Sequence, residues 1–137
     1  MYNQEQIEEV CTMIEAAIVY REEHSPDNLA AKISDLINLY PNSCEAMASA
    51  AFIRDYARKQ EYDKVVNAIK TNQIGKDMAG VTSASNLSKY IDSRIATQNY
   101  LVLKTERLNR AITHALDGYR SILSSEKEQL KLSNYGV

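Results

Sequence analysis

Tryptophan is absent from this chain of 137 residues and phenylalanine occurs once, so its aromatic surface is nearly all tyrosine, of which there are nine. A tyrosine can line the edge of a core while its hydroxyl stays in water, which suits a thin helical assembly with much surface and names no ligand. Helix breakers are scarce: residues 85–132 contain no proline and a single glycine, Gly118. No apolar run approaches the roughly 18 residues of a membrane span. Residues 1–9 are acidic rather than basic and then apolar, so no secretory signal is expected and the default compartment is cytoplasmic. The two cysteines, Cys11 and Cys44, fall on apolar helical faces and are expected as reduced core thiols. The triplet Asn86-Leu87-Ser88 is then a coincidental glycosylation pattern.

The inventory for catalysis is equally short. Of the two histidines, His24 ends the acidic run from Arg21 and reads as a solvated residue at a helix end, while His114 falls on a polar helical face. There is no Glu-x-x-His, no Cys-x-x-Cys and no histidine pair, so zinc and di-iron sites are not expected. Gly75-Lys76 lacks the preceding glycine and following hydroxyl of a phosphate loop, and no nucleophile elbow is present. The carboxylates between Glu5 and Glu15 read as a solvated helix face. Neither a catalytic residue, a metal ligand nor a cofactor is assigned, and an enzyme is not expected. Had there been one, the carboxylates of the first helix would be where to seek its pocket.

What remains is an ordinary globular composition, with 45% hydrophobic and 25% charged residues, enough for one domain or one domain with an appended helix. Charge is split along it. Residues 1–45 hold two basic against nine acidic side chains, a net of −7, and residues 46–137 hold fourteen against nine, a net of +5. Such ends can meet within one chain, between subunits or on separate partners.

The fold class read from periodicity is all-α: a helical-hairpin bundle of about four shorter helices followed by a long C-terminal helix with a bend. Helix 1 is expected over 4–23, burying Ile7, Val10, Cys11, Ile14 and Ile18. Ser25-Pro26 is a cap followed by proline at the first helical position. Helix 2 then runs to about residue 39 with Leu29, Ile33, Leu36 and Ile37 inside, and Pro41 ends it by biasing Tyr40 away from helical dihedrals. Asn42 with Glu45 reads as a capping box opening helix 3, whose buried face is Met47, Ala48, Ala51 and Phe52. The alanines there imply a close helix approach. Helix 4, about 61–70, buries Tyr62, Val65, Val66 and Ile69, although the short Lys59-Gln60 junction need not break the helix. The domain plan is therefore a hairpin region at 1–72, a loop at 73–85, a long amphipathic helix at 86–132 packed on 1–72 or on another subunit, and a tail at 133–137.

Leu29, Ala30 and Ile33 recur as Val65, Val66 and Ile69, a period of 36. Pro41-Asn42-Ser43 through Tyr62-Asp63-Lys64 to Ala68 resembles the helical hairpin of tetratricopeptide repeats over about one and a half units. The first helix is about two residues too long for that pattern, and Arg54 and Asp63 stand where small or aromatic residues are usual. An array normally needs about three units, so the reading stays with a generic hairpin bundle. The resemblance would imply a peptide- or protein-binding groove.

The long segment carries two faces. At 100° per residue Leu101, Leu108, Ile112, Ala115, Leu116, Tyr119, Ile122, Leu123 and Leu130 fall within about a third of the circumference. As heptads, Leu101, Leu108, Ala115 and Ile122 alternate with Thr105, Ile112, Tyr119 and Glu126, a short seam with two polar interruptions. Upstream the spacing changes to Leu87, Ile91 and Ile95, so a bend near 96–99 is expected. Roughly opposite the stripe stand Tyr100, Lys104, Arg107, Arg110 and His114. This ridge can face a nucleic-acid backbone, an acidic protein face or water; Glu106 with Arg110 at helical spacing, and Asp117 and Glu128 beyond, favour a solvated face.

A helix of about 45 residues extends near 65 Å, beyond elements of 10 to 18 residues. Its excess either bends back or packs on another copy. The function expected from these features is that of a non-enzymatic interaction protein, an adaptor, inhibitor or assembly component for a protein partner of unknown identity. Homo-oligomer formation through the stripe Leu101 to Leu123 is expected, and no membrane contact. The alternative is an oligomeric single-strand nucleic-acid binder, of the kind small viruses and mobile elements encode, using the ridge Tyr100 to His114.

Overall fold

The structure, a computed structural model, describes residues 1–19, 25–73, 80 and 83–135. These form four helices and no strand: α1 (Gln4–Ile18), α2 (Pro26–Lys70), α3 (Ala84–Arg94) and α4 (Ala96–Tyr135). The protein is all-α, and a long helix does end it. The end of the expected first helix, including Glu22, Glu23 and His24, and the Gly75-Lys76 pair lie outside the described residues.

The main departure from the sequence reading is α2, a single helix of 45 residues that carries Pro41 in its interior. The element expected to stop before Pro41 is one with the helix expected from Asn42 and with that at 61–70, Lys59-Gln60 leaves the helix unbroken, and the tetratricopeptide-like hairpin turn is not formed. Pro41 has no N–H for the Ile37 carbonyl and its ring crowds that turn. Both Ile37 and Pro41 face outward, where water can satisfy the carbonyl. The inner face holds the helix together across the proline. Leu29, Leu36, Ser43 and Ala50 repeat at seven residues and are buried on both sides of it, with Ala46 and Ser49 between them. Local breaking is outweighed by burial shared along the whole element.

The apparent capping box at Asn42 and Glu45 has a different use. The Tyr2 N–H donates to Ser49 Oγ at 2.9 Å, the Tyr2 hydroxyl donates to Asn42 Oδ1 at 3.4 Å, and the Met1 amine lies 3.6 Å from Glu45. These α2 residues hold the start of α1. The genuine caps are elsewhere. Asn3 and Gln6 make a reciprocal capping box on α1, and Ser25 and Ser83 accept from Asn28 and Asn86 at the starts of α2 and α3. At the other end of α2, Asn72 takes a left-handed φ of 54°, with Asn72 N–H on the Ile69 carbonyl and Gln73 N–H on that of Ala68. That pair of bonds is the Schellman arrangement.

The long C-terminal segment is two helices, parted at Ile95 (φ −111°, ψ 26°), one residue before the expected bend. The Ile95 N–H still reaches the Ile91 carbonyl and its own carbonyl accepts from Asn99, so the interruption leaves both groups paired. It lets buried Ile91 and Ile95 and the stripe from Leu101 face the same neighbour despite their different spacing.

Ile7, Val10, Cys11 and Ile14 of α1, Leu36, Ala46 and Ala50 of α2, and Leu101, Val102, Leu108, Ile112 and Leu116 of α4 form one core cluster. Helices α2 and α4 run antiparallel, with Ser43 beside Asn109, while α1 ascends parallel to α4 from the level of Ser49. The Tyr119 hydroxyl donates to the Ile18 carbonyl at 3.2 Å and so closes the far end of α1. Beyond Met1, α2 continues beside α3, tied by Arg58–Asp92 at 3.2 Å and Arg94–Glu61 at 3.6 Å.

Candidate interaction surfaces

The stripe expected to assemble subunits lines the interior of its own chain. Leu101, Leu108, Ile112 and Leu116 are buried in the shared core, and Ala115 and Tyr119 pack against it. Ile122 and Leu123 are half-buried. Leu130 and Leu132, past the packed region, are exposed. Thr105, which interrupted the seam in the sequence, is buried without cost in unmet polarity, because its hydroxyl donates to the Leu101 carbonyl at 3.0 Å with that of Val102 also in reach. The length mismatch that suggested a second subunit is met by α2, which is longer than α4.

The ridge residues remain on one helix face but differ in circumstance. Lys104 Nζ sits 3.4 Å from Glu15 of α1. Burial of the ammonium works against its charge, but the Glu15 hydrogen bond and charge outweigh this and raise its pKa. Tyr100, Arg107, Arg110 and His114 are exposed, and neither Arg107 nor Arg110 has an ion pair among the described residues. Leu103, also exposed, stands among them. Tyr100 and Lys104 line a groove of about 270 Å³ with Gln4, Glu8 and Thr12 of α1, whose Glu5, Glu8 and Glu9 are exposed. The surface is thus bipolar, an acidic strip on α1 beside a basic strip on α4.

A second surface was assigned to the interior by the sequence reading. Ile37, Phe52, Tyr62 and Ile69 are each about half exposed, at 46, 56, 48 and 47%. Ala48 is exposed, and Ile33, Met47, Ala51 and Val66 are half-buried. Once α2 is one helix, Ile37, Tyr40, Phe52, Tyr62 and Ile69 fall within about a third of its circumference, flanking the buried series. The seven-residue recurrence of Leu29, Leu36, Ser43 and Ala50 was the available signal; it was obscured by treating Pro41 as a stop. On the same side α2 and α3 enclose a mainly apolar groove of about 530 Å³ floored by Tyr62, Ala84, Leu87 and Ile91 and rimmed by Asp55, Arg58, Lys59 and Asp92.

Chemically the surfaces are suited to binding. Among the described residues no group of three or more His, Cys, Asp or Glu could hold a metal ion, and no helix is long and apolar enough to cross a membrane. Cys11 is buried and Cys44 half-buried, and both are free thiols. Burial pushes the Cys11 thiol up from its ordinary pKa, with Lys104 pulling weakly the other way. Comparison with protein-family models, with curated proteins and with solved structures finds no match.

Proposed function

We propose that the protein is a non-enzymatic helical interaction protein that docks a partner protein on the outward side of α2 and α3. The observation that carries the reading is the apolar groove between these helices, which exposed Tyr62 lines, with Ile37, Phe52 and Ile69 also exposed on α2. Where α1 ends its contact, α2 and α3 continue, among the described residues, without the third helix that completes the core elsewhere. An amphipathic helix would fill such a groove, laying apolar side chains on Tyr62, Leu87 and Ile91 and polar flanks against Arg58, Lys59, Asp55 and Asp92. The mixed-sign rim fits a helix with both charges better than a polyanion. The protein would act by occupying its partner's surface, as adaptor, inhibitor or assembly component, in the cytoplasmic setting that reduced thiols suggest.

A photoreactive phenylalanine in place of Tyr62, expressed in the native host, tests this. One protein adduct is expected that survives nuclease, fails to form when the label replaces Gln60 on the other side of α2, and disappears with Leu87→Glu. Equal labelling from both positions, or none, contradicts the reading. The nucleic-acid alternative rests on the α4 ridge, where the pairing of Lys104 with Glu15 and the adjoining acidic strip of α1 oppose a phosphate backbone. Single-strand binding at low salt that is lost on Arg107→Ala with Arg110→Ala would favour it instead.

A further inference from the structure

We infer that the outward face of α2 pairs antiparallel with the same face of a second copy of this chain, so that the helix seated in the α2–α3 groove is the N-terminal half of the second copy's α2. The inference rests on the proposed groove and names its occupant. It also takes self-association off the apolar stripe of α4, which the chain's own core covers. Ile33, Cys44, Asp55 and Val66 recur at eleven residues, as do Tyr40, Ala51 and Tyr62. With Ile37, Ala48, Arg58 and Ile69 between them they span about 80° of arc at 100° per residue, and none is buried. Eleven residues make close to three turns, so this face runs nearly straight along α2 and a second rod can follow it. Its only charges, Asp55 and Arg58, are partnered inside the chain by Arg54 at 3.0 Å and Asp92 at 3.2 Å.

What identifies the occupant is the symmetry of the face about Ala51. A two-fold interface is self-complementary, because the same patch serves both partners. An axis in the interface, perpendicular to α2 at the level of Ala51, keeps each side chain on the shared face and exchanges heights above and below that level. At a rise of about 1.5 Å per residue, Ile33 and Ile69 each lie about 27 Å from it, Ile37 and Val66 about 21 and 22.5 Å, and Tyr40 and Tyr62 about 16.5 Å. The axis therefore sets Ile33 on Ile69, Ile37 on Val66 and Tyr40 on Tyr62 of the second copy, and repeats each pair at the other end. Tyr40 thereby enters the groove that Tyr62 and Leu87 line. Near the axis Ala48 and Ala51 are small enough for the backbones to approach, and Cys44 meets the apolar stem of Arg58. A face about 54 Å long and one helix wide covers about 600 Å² per copy, or about 1,200 Å² in all, the lower end of a specific interface before α3 adds to it.

Sedimentation equilibrium of the intact chain at about 100 μM tests the pairing, a concentration above the micromolar range of the weaker interfaces of standard size. Wild type is expected to be a dimer and to remain one as salt rises, because the face is apolar. Ile37→Glu, on the half of α2 outside the groove, should weaken association at least about tenfold with helical circular dichroism unchanged. Ala51→Cys, in a chain carrying Cys11→Ala and Cys44→Ser, should oxidise to a disulfide-linked dimer, since residue 51 meets itself on the axis. Gln60→Cys in the same chain should not. A monomeric wild type, a dimer that Ile37→Glu leaves intact, or no disulfide at position 51 overturns the inference. A Tyr62 photoadduct to another protein, with none between copies, overturns it too and leaves the groove reading standing. Absence of any adduct from Tyr62 removes both.

Discussion

Asn109 of α4 donates from Nδ2 to Ser43 Oγ of α2 across 3.1 Å, the polar tie between the two longest helices. Cys44 Sγ lies 3.5 Å from the same nitrogen. Ser43 is buried and its side chain is short, so the hydroxyl of α2 and the amide of α4 meet only because the two helices approach closely. Asn109→Ala is expected to cost about 1 kcal/mol in urea unfolding, and a cycle with Ser43→Ala should show positive coupling of similar size. Additive single effects would mean that the contact contributes nothing to the helix pairing.

Pro41 gives a test with opposite signs for two architectures. In a continuous α2 it withdraws one hydrogen bond and crowds the Ile37 turn, so Pro41→Ala should stabilise the fold by about 1 to 3 kcal/mol. Were Pro41 a helix stop, the substitution would release no strain and would change the denaturation midpoint little or unfavourably.

The interior role of the α4 stripe predicts how it responds to truncation. Ile112 is fully buried, and Ile112→Ala should cost about 2 to 5 kcal/mol through lost burial and a cavity. The penalty should not depend on protein concentration, since the contacts lie within one chain. A midpoint that falls with dilution in wild type and not in Ile112→Ala would return the stripe to an intersubunit role.

The thiols should separate by reactivity. Cys11 is 1% exposed and its pKa is raised above the ordinary 9.0 by burial, so native protein should react with a thiol reagent at Cys44 first. The folded state keeps the Cys11 proton where the unfolded chain releases it, so stability should fall as pH climbs above 9.0. Cys11→Ala should flatten that fall in a series of alkaline urea titrations. Prior labelling of Cys11 would contradict its place in the core.

Helix content, the α1 face of Ile7, Val10, Cys11 and Ile14, and the break near residue 95 were legible because each rests on local periodicity or a change in it. Connection across Pro41 was not, because the stabilising contacts of Leu36, Ser43 and Ala50 are with α1 and α4, far along the chain. Treating the helix as three pieces turned Phe52, Tyr62 and Ile69 inward when the continuous register turns them out. The ridge residues could be placed on one face from spacing alone, but the pairing of Lys104 with Glu15 depends on where α1 lies. Asn42 and Glu45 illustrate the same limit: a valid capping pattern is used instead to hold Tyr2 and Met1.

Helix α2 is one rod that partners α4 inside the chain and presents its other side to solvent. A pair of spin labels at Ala30 and Asn67, in a chain carrying Cys11→Ala and Cys44→Ser and diluted with unlabelled protein, measures this directly by electron–electron dipolar coupling. Thirty-seven residues of continuous helix at 1.5 Å each place the labelled backbones about 55 Å apart. A single distance near that value is predicted. A distance of about 30 Å or less, as a chain folded back at Pro41 and Lys59 would give, contradicts the continuous helix and with it the surfaces proposed on it.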